Sequence, residues 1–252
     1  GLDHVSYGLI MQELERGDSG LRSFVSVQGA LCMWPIWKYG SEAQKERWLP
    51  AMGRGEVIGA FGLTEPDFGS DPGGMLTRAR RHGDTWVLNG TKYWITNASA
   101  EDIGIIWAKD DAGTVQGFIV EAERPGYQST AIEGKFSLRA SVTGEIALQD
   151  VEVPEANRLP QARGLGAALG CLTQARYGIA WGAVGSAQAT FHCALEYAKT
   201  RVQFGKPIAG FQLVQRKLAE MATEITKAQL LALQLGRLKE REAATFWQVS
   251  LA

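Results

Sequence analysis

Apolar positions recur at helical spacing over residues 5–16, where VSYGLIMQELER sets Tyr7, Leu9, Ile10 and Leu14 along one broad stripe. Gly17-Asp18-Ser19-Gly20 interrupts that stripe. Asp18 or Ser19 is placed to cap a second helix through SFVSVQGAL (23–31). Ser41-Glu42-Ala43-Gln44 has the capping-box pattern, in which the Ser and Gln side chains each bond an end N–H of the other residue, so a helix through Trp48 is expected. From about residue 58 the period shortens to two. TWVLNGTKYWIT (85–96) carries Asn89-Gly90 between two alternating runs, which predicts a hairpin turning at that dipeptide. IGIIWAK (103–109), VQGFIVE (115–121) and EIALQDVEV (145–153) are β-branched and bounded by turn residues. Strand after strand without an intervening helix predicts an antiparallel sheet or barrel. After Pro154 and Pro160 the helical period returns over about 166–200. Beyond the break at Gly205-Lys206-Pro207 it resumes over about 211–240, with Leu213, Lys217, Met221, Ile225, Leu230 and Leu233 recurring. The pattern divides the chain into a helical segment 1–57, a β domain 58–153 and a helical segment 154–252, an α+β fold class.

Composition narrows the function classes. A net charge of −1 argues against nucleic-acid or membrane-surface binding driven by charge. There is no apolar run of about 18 residues, the length a membrane span needs. No signal or transit peptide is visible at the start, and the first residue is Gly. Cys32, Cys171 and Cys193 are odd in number and scattered, which suits a reduced compartment and apolar filler roles. No Cys or His spacing resembles a metal site. Gly164-Leu165-Gly166-Ala167-Ala168-Leu169-Gly170 has the look of a dinucleotide fingerprint. It follows a Pro-containing loop and its spacing differs, so it reads as a lead-in to a helix and NAD is not expected.

Two segments carry the chemistry. FGLTEPDFGSD (61–71) is a short extended run ending in the Thr64 hydroxyl, cut off by Pro66, Gly69, Ser70, Asp71, Pro72, Gly73 and Gly74. Such a loop lets backbone N–H groups approach a ligand closely. TKYWIT (91–96) ends a second strand with a planar Trp94 and the Thr96 hydroxyl. Two strand ends with hydroxyls and a flat aromatic suit a flat heterocycle with polar edges. The ordered pair resembles the flavin-binding signature of the acyl-CoA dehydrogenases. The resemblance implies FAD as cofactor, contacted by Phe61, Gly62, Leu63, Thr64, Gly69 and Ser70 from the first segment and by Trp94, Ile95 and Thr96 from the second. It also implies that family's fold: a helical segment, a central antiparallel β-barrel or sandwich, and a C-terminal helical bundle.

Within that family, ELERGDSGLRSFVSVQ (13–28), EGKFSLRASVTG (133–144), GCLTQARYGIAWG (170–182), QFGKPIAGFQLVQRKLAEM (203–221) and LGRLKERE (235–242) resemble the glutaryl-CoA dehydrogenases more than their relatives. A glutaryl thioester ends in a free carboxylate, and a guanidinium offers it two hydrogen bonds in matching geometry. Arg22, beside Ser23 and one turn before Ser26, matches the family positions that hold this carboxylate, and Glu15 matches an acidic residue near the same pocket. A lone arginine at a helix start is usually solvated, so the pocket role rests on the resemblance. Leu169, Gly170, Cys171, Leu172, Thr173, Gln174, Ala175 and Arg176 match the segment lining the acyl-CoA site, where Ser70 also contributes. Arg201, Phe204 and Gln212 match residues that reach the flavin dinucleotide of a neighbouring subunit, Arg201 against pyrophosphate and Phe204 packed on the cofactor. A homotetramer is implied.

The implied reaction takes the proton alpha to the thioester carbonyl on a carboxylate base and a hydride from the beta carbon on FAD. Loss of the terminal carboxylate as carbon dioxide then gives crotonyl-CoA, a step of lysine and tryptophan degradation, with electrons passed to an electron-transfer flavoprotein. In most members the base is a Glu in a later helix, expected here beyond Ala252. A minority place it on the helix matching 172–182, where this chain has Ala175. No base is therefore expected within residues 1–252, and Glu15 or Glu133 in that role has no family support. The chain is expected to be truncated at both ends, with both helical domains incomplete. Three alternatives stay open: a dehydrogenase for monocarboxylic chains, a glutaryl enzyme that releases glutaconyl-CoA without decarboxylation, and a catalytically silent flavin- or acyl-CoA-binding fragment. A bacterial cytoplasm or a mitochondrial matrix is the expected location.

Overall fold

Capping chemistry sets the first helix ends. In the computed structural model, which describes residues 2–252, the Asp3 carboxylate accepts from Ser6 N at 2.8 Å and starts α1 (His4–Gly17). Asp18 does the same for α2 (Ser19–Ser26), accepting from Gly20 N at 2.7 Å and Leu21 N at 3.1 Å. The chain divides into two compact units: residues up to 22 together with 176–252, and residues 23–175.

In the unit of residues 23–175, a π-helical stretch, Val27–Met33, follows α2, where the sequence predicts α-helix to residue 31. Gln28 explains the departure. Its amide donates to Met52 O at 3.1 Å and Val57 O at 2.7 Å and accepts from Gly59 N at 2.8 Å. The widened turn puts that side chain across the start of the first strand. Helices α3 (Trp34–Tyr39) and α4 (Glu42–Gly53) follow, α4 opening on the expected capping box of Ser41 and Gln44.

Eight strands come next: β1 (Gly59–Gly62), β2 (Arg78–His82), β3 (Thr85–Thr96), β4 (Ile103–Lys109), β5 (Val115–Glu121), β6 (Tyr127–Ala131), β7 (Thr143–Pro154) and β8 (Arg158–Arg163). They form one sheet ordered β6-β7-β3-β2-β4-β5-β8, with β1 on β4. Most neighbours are antiparallel, as expected, but β1 and β2 both run parallel to β4, so the sheet is mixed. Each of these two strands is separated from β4 by intervening chain that includes β3, and such long connections permit parallel pairing where tight turns do not.

The hairpin predicted at Asn89-Gly90 is absent. The turn lies at Gly83-Asp84, between His82 and Thr85, and β3 runs unbroken through Asn89 and Gly90 with a bulge against β7. There, Asn89 Nδ2 donates to Asp150 Oδ1 and Asp150 N donates to Asn89 Oδ1, each at 2.9 Å. Gly90 is required by space as well as by conformation: at φ +152°, a Cβ would lie 2.4 Å from Thr77 Oγ1 and 2.7 Å from Thr77 Cα.

Period-two alternation in β4 and β5 feeds two cores. Ile103, Ile105, Trp107, Val115 and Ile119 pack with Val27, Ile36, Trp48, Met52 and Cys171 of the helical layer. Ile106, Ala108, Phe118 and Val120 pack instead with Trp86, Leu88, Ile146 and Val153. Both faces of these strands are buried, so they read as continuous apolar runs. Each fully buried large side chain contributes roughly 2–3 kcal/mol.

One charged pair lies within this apolar packing. Lys92 of β3 is 0% exposed and Glu65 4% exposed at the side chain, with Nζ 2.9 Å from Oε1. Glu65 also accepts from Leu76 N and from the Thr77 backbone N–H and hydroxyl, and Lys92 donates to Leu63 O at 3.1 Å. Burial pulls the Lys92 ammonium down to about 8, with Glu65 opposing the shift. For Glu65, burial pushes the carboxyl up, but Lys92 and the Thr77 and Leu76 donors outweigh it and hold the group below its ordinary value.

Helix α5 (Leu165–Thr200) begins where the Gly164 lead-in was expected. Its part from 176 onward belongs to the other unit, together with β9 (Val202–Gln203), β10 (Lys206–Pro207), α6 (Gln212–Glu240) and α7 (Phe246–Leu251). In that unit α1 lies close on α5. A Cβ on Gly8 would stand 2.3 Å from the Trp181 ring, and one on Gly185 2.0 Å from Gln12 O. Tyr177 Oη donates to His4 O at 2.7 Å across the same contact.

Two outcomes follow for stability. Gly90→Ala lowers unfolding stability by about 2–4 kcal/mol through strain and overpacking. Gly113→Ala, at φ +78° in open space, costs about 1 kcal/mol; equal urea midpoints for the two variants would refute this. The second outcome concerns pH. Between about 8 and the ordinary lysine value of 10.5, the folded chain has released the Lys92 proton while the unfolded chain still holds it. Stability therefore rises with pH across that window, and the burial penalty is fully present below it. Relative to Lys92→Met, the wild-type urea midpoint rises from about pH 7.5 to about pH 10; a pH-independent difference would contradict the assignment.

Candidate functional site

In the unit of residues 23–175, β1 and β3 deliver the two chemistry-bearing segments side by side. Tyr93 N donates to Thr64 O at 2.9 Å, so Thr64, two residues past the end of β1, lies one backbone bond from the residue before Trp94 in β3. Trp94 is held at φ +58°, a sparsely populated region for a bulky residue, beside a register shift between Lys92 and Ile95. The indole is 57% exposed and meets Tyr93 edge-on, with centroids 5.1 Å apart. Thr64 and Thr96 are half-buried next to it. Phe61, Leu63 and Ile95 turn their side chains into the core, leaving only backbone for a ligand, and Phe61 packs edge-on to Trp107. Gly62 serves packing, since a Cβ there would lie 2.6 Å from Ile106 Cδ1. Gly69 and Ser70 are exposed on the loop, and a Cβ on Gly69 would approach only the Thr64 methyl, at 4.0 Å.

The first part of α5 carries the predicted substrate segment of this unit. Its residues divide by helical face. Cys171 and Ala175 face the core, with the Cys171 thiol donating to Ala167 O and pushed up to about 12 by burial. A Cβ on Gly170 would lie 3.0 Å from Tyr39 Oη. Leu169 is exposed, while Leu172, Thr173 and Gln174 are half-buried, and the Thr173 hydroxyl donates to Leu169 O at 3.1 Å. Ser23 is half-buried and Ser26 buried on α2. Glu133 lies exposed in the loop between β6 and β7.

In the unit of residues up to 22 and from 176, Arg22 Nε donates to Glu15 Oε2, with both side chains about one-tenth exposed. Gly182 of α5 makes the room: a Cβ there would lie 2.9 Å from Glu15 Oε2 and 3.3 Å from Arg22 Nε. Glu15 is thus committed to Arg22, and the guanidinium's terminal nitrogens are the part left for a further carboxylate. Arg176 is exposed, with Nη1 3.4 Å from the Ser250 hydroxyl. Arg201, Phe204 and Gln212 lie in or beside the small β9–β10 hairpin, where Ile208 N donates to Arg201 O at 2.8 Å and Phe204 meets Phe211 edge-on with centroids 6.1 Å apart. Phe204 and Gly205, at φ +53° and +78°, form the two-residue turn between β9 and β10. Phe204 is 91% exposed, and all three residues are open to solvent.

Sequence reading passes over the Glu65–Lys92 pair, although both residues lie inside the singled-out segments. Its signal was a lysine at an inward position of an alternating strand, obscured by the bulge that shifts the alternation. Among the described residues, no group of three or more His, Cys, Asp or Glu side chains is arranged to hold a metal ion. No helix among them is long and apolar enough to cross a membrane.

Comparison with known proteins follows the order of the elements. Residues 1–56 match the N-terminal domain model of the acyl-CoA dehydrogenases, 60–151 the middle domain and 162–252 the C-terminal domain. The solved structure of glutaryl-CoA dehydrogenase from Mycobacterium smegmatis is 54% identical, with TM-score 0.98, over 100% of this chain and 65% of that one. A structure of a glutaryl-CoA dehydrogenase from the same organism in complex with FADH2 is 52% identical, also with TM-score 0.98, at the same coverage. Short-chain specific acyl-CoA dehydrogenase from Rattus norvegicus mitochondria is 38% identical over 247 residues, 96% of this chain and 60% of the relative. This chain thus spans about 60% of the length of that curated relative. With three domain models of one family matched in chain order, the chain belongs to the acyl-CoA dehydrogenase family.

Proposed function

We propose that the protein is an FAD-dependent glutaryl-CoA dehydrogenase that oxidises and decarboxylates glutaryl-CoA to crotonyl-CoA. The observation that carries this reading is the 54% identity to the Mycobacterium smegmatis glutaryl-CoA dehydrogenase over the whole chain. The Arg22–Glu15 pair supports it, because a dicarboxylic thioester needs a fixed cation for its far carboxylate.

The strand ends fit a flavin. An exposed flat indole held out at positive φ, two adjoining hydroxyls and an open glycine loop offer a stacking plane, polar-edge contacts and close backbone approach. When bound, FAD supplies the hydride acceptor and the redox chemistry. The chain's own part is to bind and orient. Trp94 provides the plane, Thr64 and Thr96 bond polar edges, and Arg22 holds the distal carboxylate, with Glu15 fixing its Nε. The half-buried Leu172, Thr173 and Gln174 line the acyl thioester. The exposed Arg201, Phe204 and Gln212 suit contact with cofactor held by a neighbouring subunit of a homotetramer, and an electron-transfer flavoprotein takes the electrons. None of the assigned residues is a free carboxylate base: Glu15 is engaged by Arg22, and position 175 is Ala.

A second reading has its own support. The Rattus norvegicus relative is named for short-chain substrates and shares 38% identity, so butyryl-CoA is the competing substrate.

Two measurements test these assignments. Trp94→Asn keeps a residue tolerant of the left-handed backbone but removes the ring plane. It weakens FAD binding at least about tenfold, measured by flavin fluorescence, with the urea midpoint unchanged; unaltered affinity refutes the stacking role. Arg22→Gln, made with Glu15→Gln so that no buried charge is stranded, weakens glutaryl-CoA binding by about 10- to 100-fold and butyryl-CoA binding by less than about twofold. Equal losses for the two thioesters, read by calorimetry, favour the short-chain reading.

A further inference from the structure

Glu65 gathers an unusual set of donors. Leu76 N, Thr77 N, the Thr77 hydroxyl and Lys92 Nζ all reach one carboxylate. The ten residues 66–75 therefore leave and return at a single side chain. Its tip is exposed at Pro66, Asp67 and Gly69–Asp71, Phe68 and residues 72–74 are half-buried, and Met75 is buried in the core; its own structure is a short turn at Pro72–Gly74 and the bonds between Glu65 and Phe68. On the other side, Lys92 lies two residues before Trp94 on β3 and also donates to Leu63 O, next to Thr64. A buried ion pair is poor evidence for stability, because well-packed apolar residues of the same volume usually do as well or better. What this pair uniquely does is tie three separate stretches, the loop base, the end of β1 and the end of β3, to one point.

We infer that Glu65 and Lys92 are a positioning pair that holds loop 66–75 and the Trp94 segment of β3 in one register, so that removing both costs cofactor affinity more than it costs fold stability. The inference deepens the flavin reading and rests on it for the identity of the ligand. Neither residue is assigned contact with the cofactor. They act through Thr64, Gly69, Ser70 and Trp94.

The test compares the full chain with Glu65→Gln, with Lys92→Met and with the double variant. Three readouts are taken: urea midpoint, rate of chymotryptic cleavage after Phe68 without cofactor, and FAD affinity by fluorescence quenching. Each single variant strands one buried polar group and lowers the urea midpoint. The double variant leaves no buried charge unpaired and regains part of the midpoint that the single variants lose, is cut about tenfold faster or more, and binds FAD about tenfold more weakly or worse. A double variant that fails to fold overturns the inference, since the pair would then serve stability. So does a double variant with wild-type cleavage or wild-type FAD affinity. Wild-type protein that binds no FAD sinks the flavin reading alone; the cleavage rates still judge whether the pair holds the loop.

Discussion

The contact between Lys92 and Glu65 is the constraint on which the candidate site depends. A lysine in a strand interior needs a carboxylate, and the carboxylate here needs the backbone of residues 76 and 77. Satisfying both closes the loop, and the neighbouring Tyr93 N–H bond to Thr64 O aligns the strand ends. Trp94 can then occupy a backbone conformation that an isolated strand would abandon, because bonds on either side over-determine it. Strain at the exposed indole is stored by groups that never reach the surface.

Much of the fold is legible in the chain because local rules agree with the global answer. Asp18 and the Ser41–Gln44 box mark helix starts by their own side chains, and Gly164 marks the start of α5. Three features resist reading, each because a distant partner decides it. Asn89-Gly90 has the composition of a turn, but Asp150 and Thr77 claim those residues for a bulge. The stretch from Val27 has helical periodicity, but Gln28 answers to Met52, Val57 and Gly59. The parallel partners of β4 depend on long connections that leave no mark in the strands themselves.

The candidate site divides along the same line. Thr64, Gly69, Trp94 and Thr96 are identifiable because the segments holding them have unusual composition. Which of their neighbours offer side chains and which offer only backbone is a matter of packing: Phe61 and Ile95 point inward against Trp107 and the sheet core. Arg22 could be picked out by resemblance, but its engagement with Glu15 and the clearance left by Gly182 are properties of the folded helices.

The double duty of β4 and β5 has a wider consequence. Ile103, Ile105, Trp107 and Ile119 face the helical layer, while Ile106, Phe118 and Val120 face the opposite way. Removing residues 23–57 would take Val27, Ile36, Trp48 and Met52 from the first of these faces and leave the other intact. A cut at that boundary would therefore run through a shared apolar interior, and the helices of residues 23–57 belong with the sheet as one compact body.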